Sequence, residues 1–162
     1  MNFLGISKPS EAIRAMVAGL KENDNRSGFM VDMGTFGTSR DGVCFGCAAT
    51  CTLQKLSGVK FTNSNIGIGE SRRFAIQYSG IGTDVPAEKF TEFEAAIDLL
   101  RSTNYEVLIE FFGVREQFDE ANRKDPEVYE ATVDLQNLGT TDWNRKLEPY
   151  EKFAAKLEEH GL

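Results

Sequence analysis

The chain has 162 residues, 41% apolar and 27% charged, which is the balance of a folded globular protein long enough for one domain with a real core. Its net charge of −7 is spread unevenly: residues 1–83 hold nine Lys/Arg against six Asp/Glu, and residues 84–162 hold nine against nineteen. An acidic second half repels phosphate backbones and anionic lipid, so the charge argues against nucleic-acid and membrane partners and permits a basic protein partner.

The first residues, MNFLGISKPSEAIRAM, show no basic leader before an apolar run of signal-peptide length, and no later run approaches a membrane span. A helix is predicted over 9–22, capped by Ser7 and opened by Pro9, with Ile13, Met16, Val17 and Leu20 on one face. KENDNRSG reads as a loop, 29–35 as a strand, and TSRDG as the turn into DGVCFGCAATC, which holds all three cysteines. A helix over 43–56 follows, stopped by Ser57 and Gly58.

The alternation of Phe74, Ile76 and Tyr78 with smaller residues reads as a strand, bracketed by GIGE at Gly67 and GIGT at Gly80. Pro86 opens a helix whose face is Phe90, Phe93, Ile97 and Leu100. Thr103 with Glu106 forms a capping box for the next, which ends at Gly113. Asp125 and Pro126 start another, carrying Val128, Leu135 and Leu138 as far as Gly139. The last is predicted from 141 to 159 with Trp143, Leu147, Tyr150, Ala154 and Leu157 at helical spacing, bent by Pro149. The sum is a helix-rich α+β single domain. Its glycine-rich first half (1–83) packs a small sheet on a buried cysteine-containing helix, and its acidic second half (84–162) is helical.

On a helix over 43–56, Cys44, Cys47 and Cys51 share a face beside Ala48, while Phe45, Ala49, Leu53 and Leu56 cover the other side. Such a helix is apolar nearly all round, and free cysteine is a small hydrophobe that belongs in cores. The glycine-rich turn, the cysteine near a helix start and the small residues after it also resemble the papain-type cysteine protease signature. That resemblance implies Cys47 or Cys44 as a nucleophile, its thiolate stabilised by the helix dipole and a histidine. The chain departs from it in having one histidine, His160, followed only by Gly161 and Leu162. CFGC is also a CxxC redox pattern, and Cys44-x2-Cys47 has the spacing of half a zinc knuckle. A closed zinc site needs four ligands, and beyond Cys51 the fourth could only be His160 or a distant carboxylate, so no metal and no cofactor is expected.

Gly67, Gly69, Arg72 and Arg73 carry the ingredients of an anion-binding nest without completing a phosphate-loop or dinucleotide pattern. Glu94, Asp98, Glu106 and Glu110 are read as a solvated helical face. With one histidine the Glu-x-x-His pairs of a di-iron bundle cannot be built. The adjacent pair Phe111 and Phe112 points in directions about 100° apart, so one ring is placed outside the core stripe. With Glu106 and Glu110 beside it, that ring forms the candidate protein-binding face. The expectation is an acidic, cytoplasmic, non-enzymatic protein-binding domain of adaptor, inhibitor or immunity type. Its rival is a thiol-dependent enzyme using Cys44 or Cys47.

Overall fold

A computed structural model of the chain describes residues 2–35, 37–62, 87–101, 104–138 and 146–162. Helix α1, Pro9–Asn23, begins as its sequence requires: Pro9 sits in the first turn, where its missing N–H costs nothing. Lys8, rather than Ser7, is the capping position. The Glu11 carboxylate turns back to accept the backbone N–H groups of Ser7 at 2.7 Å and Lys8 at 3.1 Å. Ile13, Met16, Val17 and Leu20 are all buried, as their spacing predicts.

Strand β1, Phe29–Val31, is shorter than the predicted 29–35. The Asp32 side chain accepts the Gly34 N–H at 2.8 Å, a local turn that competes with the ladder and ends it. Strands β2, Thr38–Arg40, and β3, Val43–Gly46, then form a hairpin, with β3 central in a sheet of order β1-β3-β2. β1 runs parallel to β3 and β2 antiparallel to it.

This hairpin corrects the predicted helix over 43–56. Arg40 pairs with Val43 across a two-residue turn in which Asp41 and Gly42 both take positive φ, 51° and 81°. That is the type I′ geometry which an Asp-Gly step favours and which matches the twist of paired strands. Val43 and Phe45 suit the pleat, so helix α2 begins only at Ala48 and runs Ala48–Ser57. Gly58, in the left-handed conformation, ends it.

Helix α3, Ala87–Arg101, buries the expected Phe90, Phe93, Ile97 and Leu100. Helix α4, Glu106–Phe111, has its Glu106 N–H held at 3.2 Å by the side chain of Asn104, and Gly113 turns the chain at φ 68°. Helix α5, Arg115–Lys124, has no counterpart in the sequence reading, because only Phe118 and Ala121 bury a stripe in a very polar segment. Asp125 caps helix α6, Pro126–Gln136, by accepting the Glu127 N–H at 3.0 Å. Helix α7 spans Glu148–Glu159. Pro149 therefore opens α7 instead of bending a helix begun at 141, since a ring that breaks an interior hydrogen bond is harmless in the first turn. The predicted strand around Phe74, Ile76 and Tyr78, the GIGE and GIGT turns, and Pro86, Thr103, Gly139 and Trp143 lie outside the described residues.

The result is a helix-rich α+β arrangement of seven helices and one small sheet among the described residues. α1 packs against α2 and α7, α2 against α3, α3 against α4, and α6 against both α5 and α7. On α1, Arg14 and Lys21 pair with Glu158 at 2.9 Å and Glu151 at 2.6 Å of α7. Gly19, about 140° around α1 from Arg14, lies against Cys51 of α2. α1 is thus the wall shared by both halves. No helix among the described residues is long and apolar enough to cross a membrane.

Candidate functional site

The cysteine segment is divided among three structural settings. Cys44 lies on the inner face of β3, opposite Phe29. Cys47 is the N-cap of α2, and Cys51 sits one turn into that helix. All three lie outside any disulfide and are buried, with 0%, 2% and 0% exposure.

Burial governs their acidity. The Cys47 sulfur faces the N–H groups of Ala49 and Thr50 and lies 3.7 Å from the Thr50 hydroxyl, an environment that by itself favours a thiolate. Desolvation and the nearby Asp98 carboxyl outweigh it and push the thiol up to about 11. Cys51 is raised further, chiefly by burial, and Cys44 is raised by burial against the opposing charge of Arg26. At neutral pH all three remain protonated.

The positive charge beside Cys44 and Cys51 has its own structural work. Arg26 donates from Nε to Asn23 at 2.7 Å, and from Nη2 to the Gln54 side-chain oxygen at 2.9 Å and the Phe61 carbonyl at 2.8 Å. Its guanidinium lies 4.7 Å from the Phe29 ring centre. Every one of these acceptors is neutral, and burial lowers its pKa. Arg26 ties the end of α1, the Gln54 turn of α2 and Phe61 into one unit.

His160 is held against the start of α6. Its Nε2 lies 2.9 Å from Asp125 Oδ2, joining the C-cap of α7 to the N-cap of α6. The residues around it are fixed: Gly161 takes φ 75°, the Leu162 N–H donates to the Leu157 carbonyl at 2.9 Å, and Leu162 is buried, with Ser10 donating to its oxygen. α1 stands between α7 and the cysteine-bearing α2, so the histidine and the thiols of the papain-like reading occupy opposite faces of that helix.

The four predicted partner-binding residues divide in two. Phe112 is buried and Phe111 half-buried, its ring 5.5 Å from those of Phe3 and Phe93 and 5.0 Å from that of Phe112. Glu106 and Glu110 are exposed and share Arg115, at 3.8 and 2.8 Å. The solvated face predicted for Glu94, Asp98, Glu106 and Glu110 holds for the last two only. Glu94 is 5% exposed, and Asp98 is half-buried with its carboxyl raised by desolvation, because α3 is covered on more sides than its aromatic stripe implies. Gly67, Gly69, Arg72 and Arg73 lie outside the described residues.

Two features escaped the sequence reading. Asp125, Glu127 and Glu159 bring carboxylate oxygens within 4.8 Å of one another. Their partners belong to the chain itself: the Lys156 ammonium bonds Glu127 and Glu159, and the His160 ring bonds Asp125. On α6, Tyr129 is 60% exposed, the most exposed large apolar side chain among the described residues. The available signal was that 126–136 contains Glu127, Glu130 and Asp134 and no Lys or Arg.

Comparison with known proteins assigns no relationship. No family model, no curated protein and no solved structure matches the chain.

Proposed function

We propose that this chain is a non-catalytic protein-binding domain that engages a basic partner through its acidic helical second half. The observation that carries the reading is the opposite placement of its two reactive inventories. The thiols are sealed in the interior with raised pKa values, whereas carboxylates such as Glu106 and Glu110 stand in solvent. A thiol enzyme needs an accessible thiolate at working pH, and burial opposes that at each of the three positions. Exposed carboxylates with a net excess of negative charge attract and orient a cationic surface. Cytoplasmic residence fits the same reading, because unpaired buried thiols persist best in a reducing compartment.

The test starts from a partner captured on the immobilised chain, purified and titrated by calorimetry. The expected result is saturable stoichiometric binding that weakens with added salt, weakens again with Glu106→Lys and Glu110→Lys, and is unchanged by Cys47→Ala. A turnover that Cys47→Ala abolishes in a folded protein would overturn the proposal in favour of thiol chemistry.

A further inference from the structure

We infer that the outward face of α6, together with the cleft at its C-terminal end, is a docking strip for a basic segment of the partner, a placement that rests on the protein-binding reading above. Residues 129, 133 and 137 stay on one side of α6, drifting about 40° per step over about 12 Å. Tyr129 is 60% exposed at one end, Val133 is half-buried, and Asn137 leads into a cleft of about 410 Å³. Leu138 and Pro149 give that cleft its apolar surface, while Asp134, Glu148 and Lys152 give it polar groups.

Charge selects the occupant. α6 carries three carboxylates and no base. Lys152 is already bound to Asp134 at 2.7 Å. Glu130, exposed one turn before Asp134, adds to the negative field that raises Lys152, and Glu148, in the cleft, is exposed and forms no ion pair among the described residues. An exposed tyrosine ring on a helix with an excess of carboxylates is a seat for a guanidinium, which stacks on the ring in the surrounding negative field. The cleft offers a second carboxylate over apolar surface, which suits the long stem and charged head of another arginine or lysine. In extended chain, about 12 Å is close to four residues, so the strip fits two cations separated by three residues.

The probe is a fluorescein-labelled peptide with two arginines separated by three alanines, followed by fluorescence anisotropy in low salt. Saturable binding is expected, with about threefold to tenfold weakening by each of Tyr129→Ala, Glu130→Gln and Glu148→Gln. Glu116→Gln on α5 should leave binding unchanged, and the same peptide with glutamates for arginines should not bind. Thermal melts confirm that the exposed-site variants fold. Equal weakening by Glu116→Gln, or no effect of the three strip variants, overturns the strip and leaves the wider reading to the Glu106 and Glu110 variants. Absence of saturable binding overturns the assigned partner chemistry. Concentration-dependent dimerisation in sedimentation that Tyr129→Ala abolishes overturns it in favour of a second copy of the chain.

Discussion

A Cβ built on Gly19 of α1 would stand 2.3 Å from the carbonyl oxygen of Cys51 in α2 and 2.7 Å from its carbonyl carbon. Both are backbone atoms, so no rotamer change relieves the contact, and the two helices must separate. Replacing glycine by alanine within a helix ordinarily stabilises by about 1 kcal/mol. Here the sign reverses: Gly19→Ala is expected to cost about 1–3 kcal/mol, read as a lower urea midpoint with an unchanged m-value. A neutral or stabilising result would mean that α1 and α2 do not approach this closely.

Burial sets the fate of the thiols. Site-resolved alkylation of the native protein between pH 5 and 9 is expected to leave Cys44, Cys47 and Cys51 unmodified until denaturant is added. All three then label with the unfolding transition. Rapid labelling of one cysteine at neutral pH would identify an accessible, activated thiol instead.

Alkaline pH offers a second reading of Cys47. Its folded value, about 11, lies above its ordinary 9.0, so between those values the unfolded chain has released a proton that the folded chain keeps. Stability contributed by the neutral buried thiol is therefore complete below pH 9 and lost as pH rises towards 11, by about 2–3 kcal/mol in all. Cys47→Ala should cost stability at pH 7 and flatten the decline in urea midpoint across this window. A wild-type slope retained in the variant would remove Cys47 from the linkage.

The His160–Asp125 contact makes an acid-side prediction. Asp125 is held below its ordinary range first by the His160 side chain and then by the Glu127 N–H. Its contribution is present above the unfolded value and fades as pH falls through the folded one. Asparagine caps a helix as well as aspartate does, so Asp125→Asn keeps the cap while removing the charge. The gap between wild type and Asp125→Asn in urea midpoint should be clear near pH 6 and narrow as pH falls below the ordinary carboxylate range. A gap independent of pH would assign the effect to geometry instead of charge.

What the sequence disclosed depended on how much of each element's identity lay in its apolar period. The stripes Ile13–Met16–Val17–Leu20 and Phe90–Phe93–Ile97–Leu100 repeat at helical spacing, and all eight side chains are buried. The hairpin was hidden because Val43, Cys44, Phe45 and Gly46 are too few to show alternation, and small apolar residues on both sides extend a plausible helix across them. Its one legible signal was the Asp41-Gly42 step. α5 was hidden for the opposite reason, since two apolar residues in ten cannot make a stripe. Pro149 could be read as a kink only while a helix was assumed to precede it. At the candidate site, burial of the cysteines followed from their chemical character. The environment of His160 did not, because its partner Asp125 lies thirty-five residues away.

The position of α1 between α2 and α7 also bears on the order of folding. Neither half of the described chain has a finished interior until α1 is covered on both faces, and Ser10 and Leu162, joined by a hydrogen bond, are 152 positions apart. The loop closed by that contact carries a larger entropic penalty than the short one between α1 and α2. On loop entropy the α1–α2 pair is expected to form first, with α7 docking onto the surface that it presents. Native-state hydrogen exchange is then expected to find the amides of α1 on the α2 side slower than those of α7, and equal protection of the two helices would overturn that order.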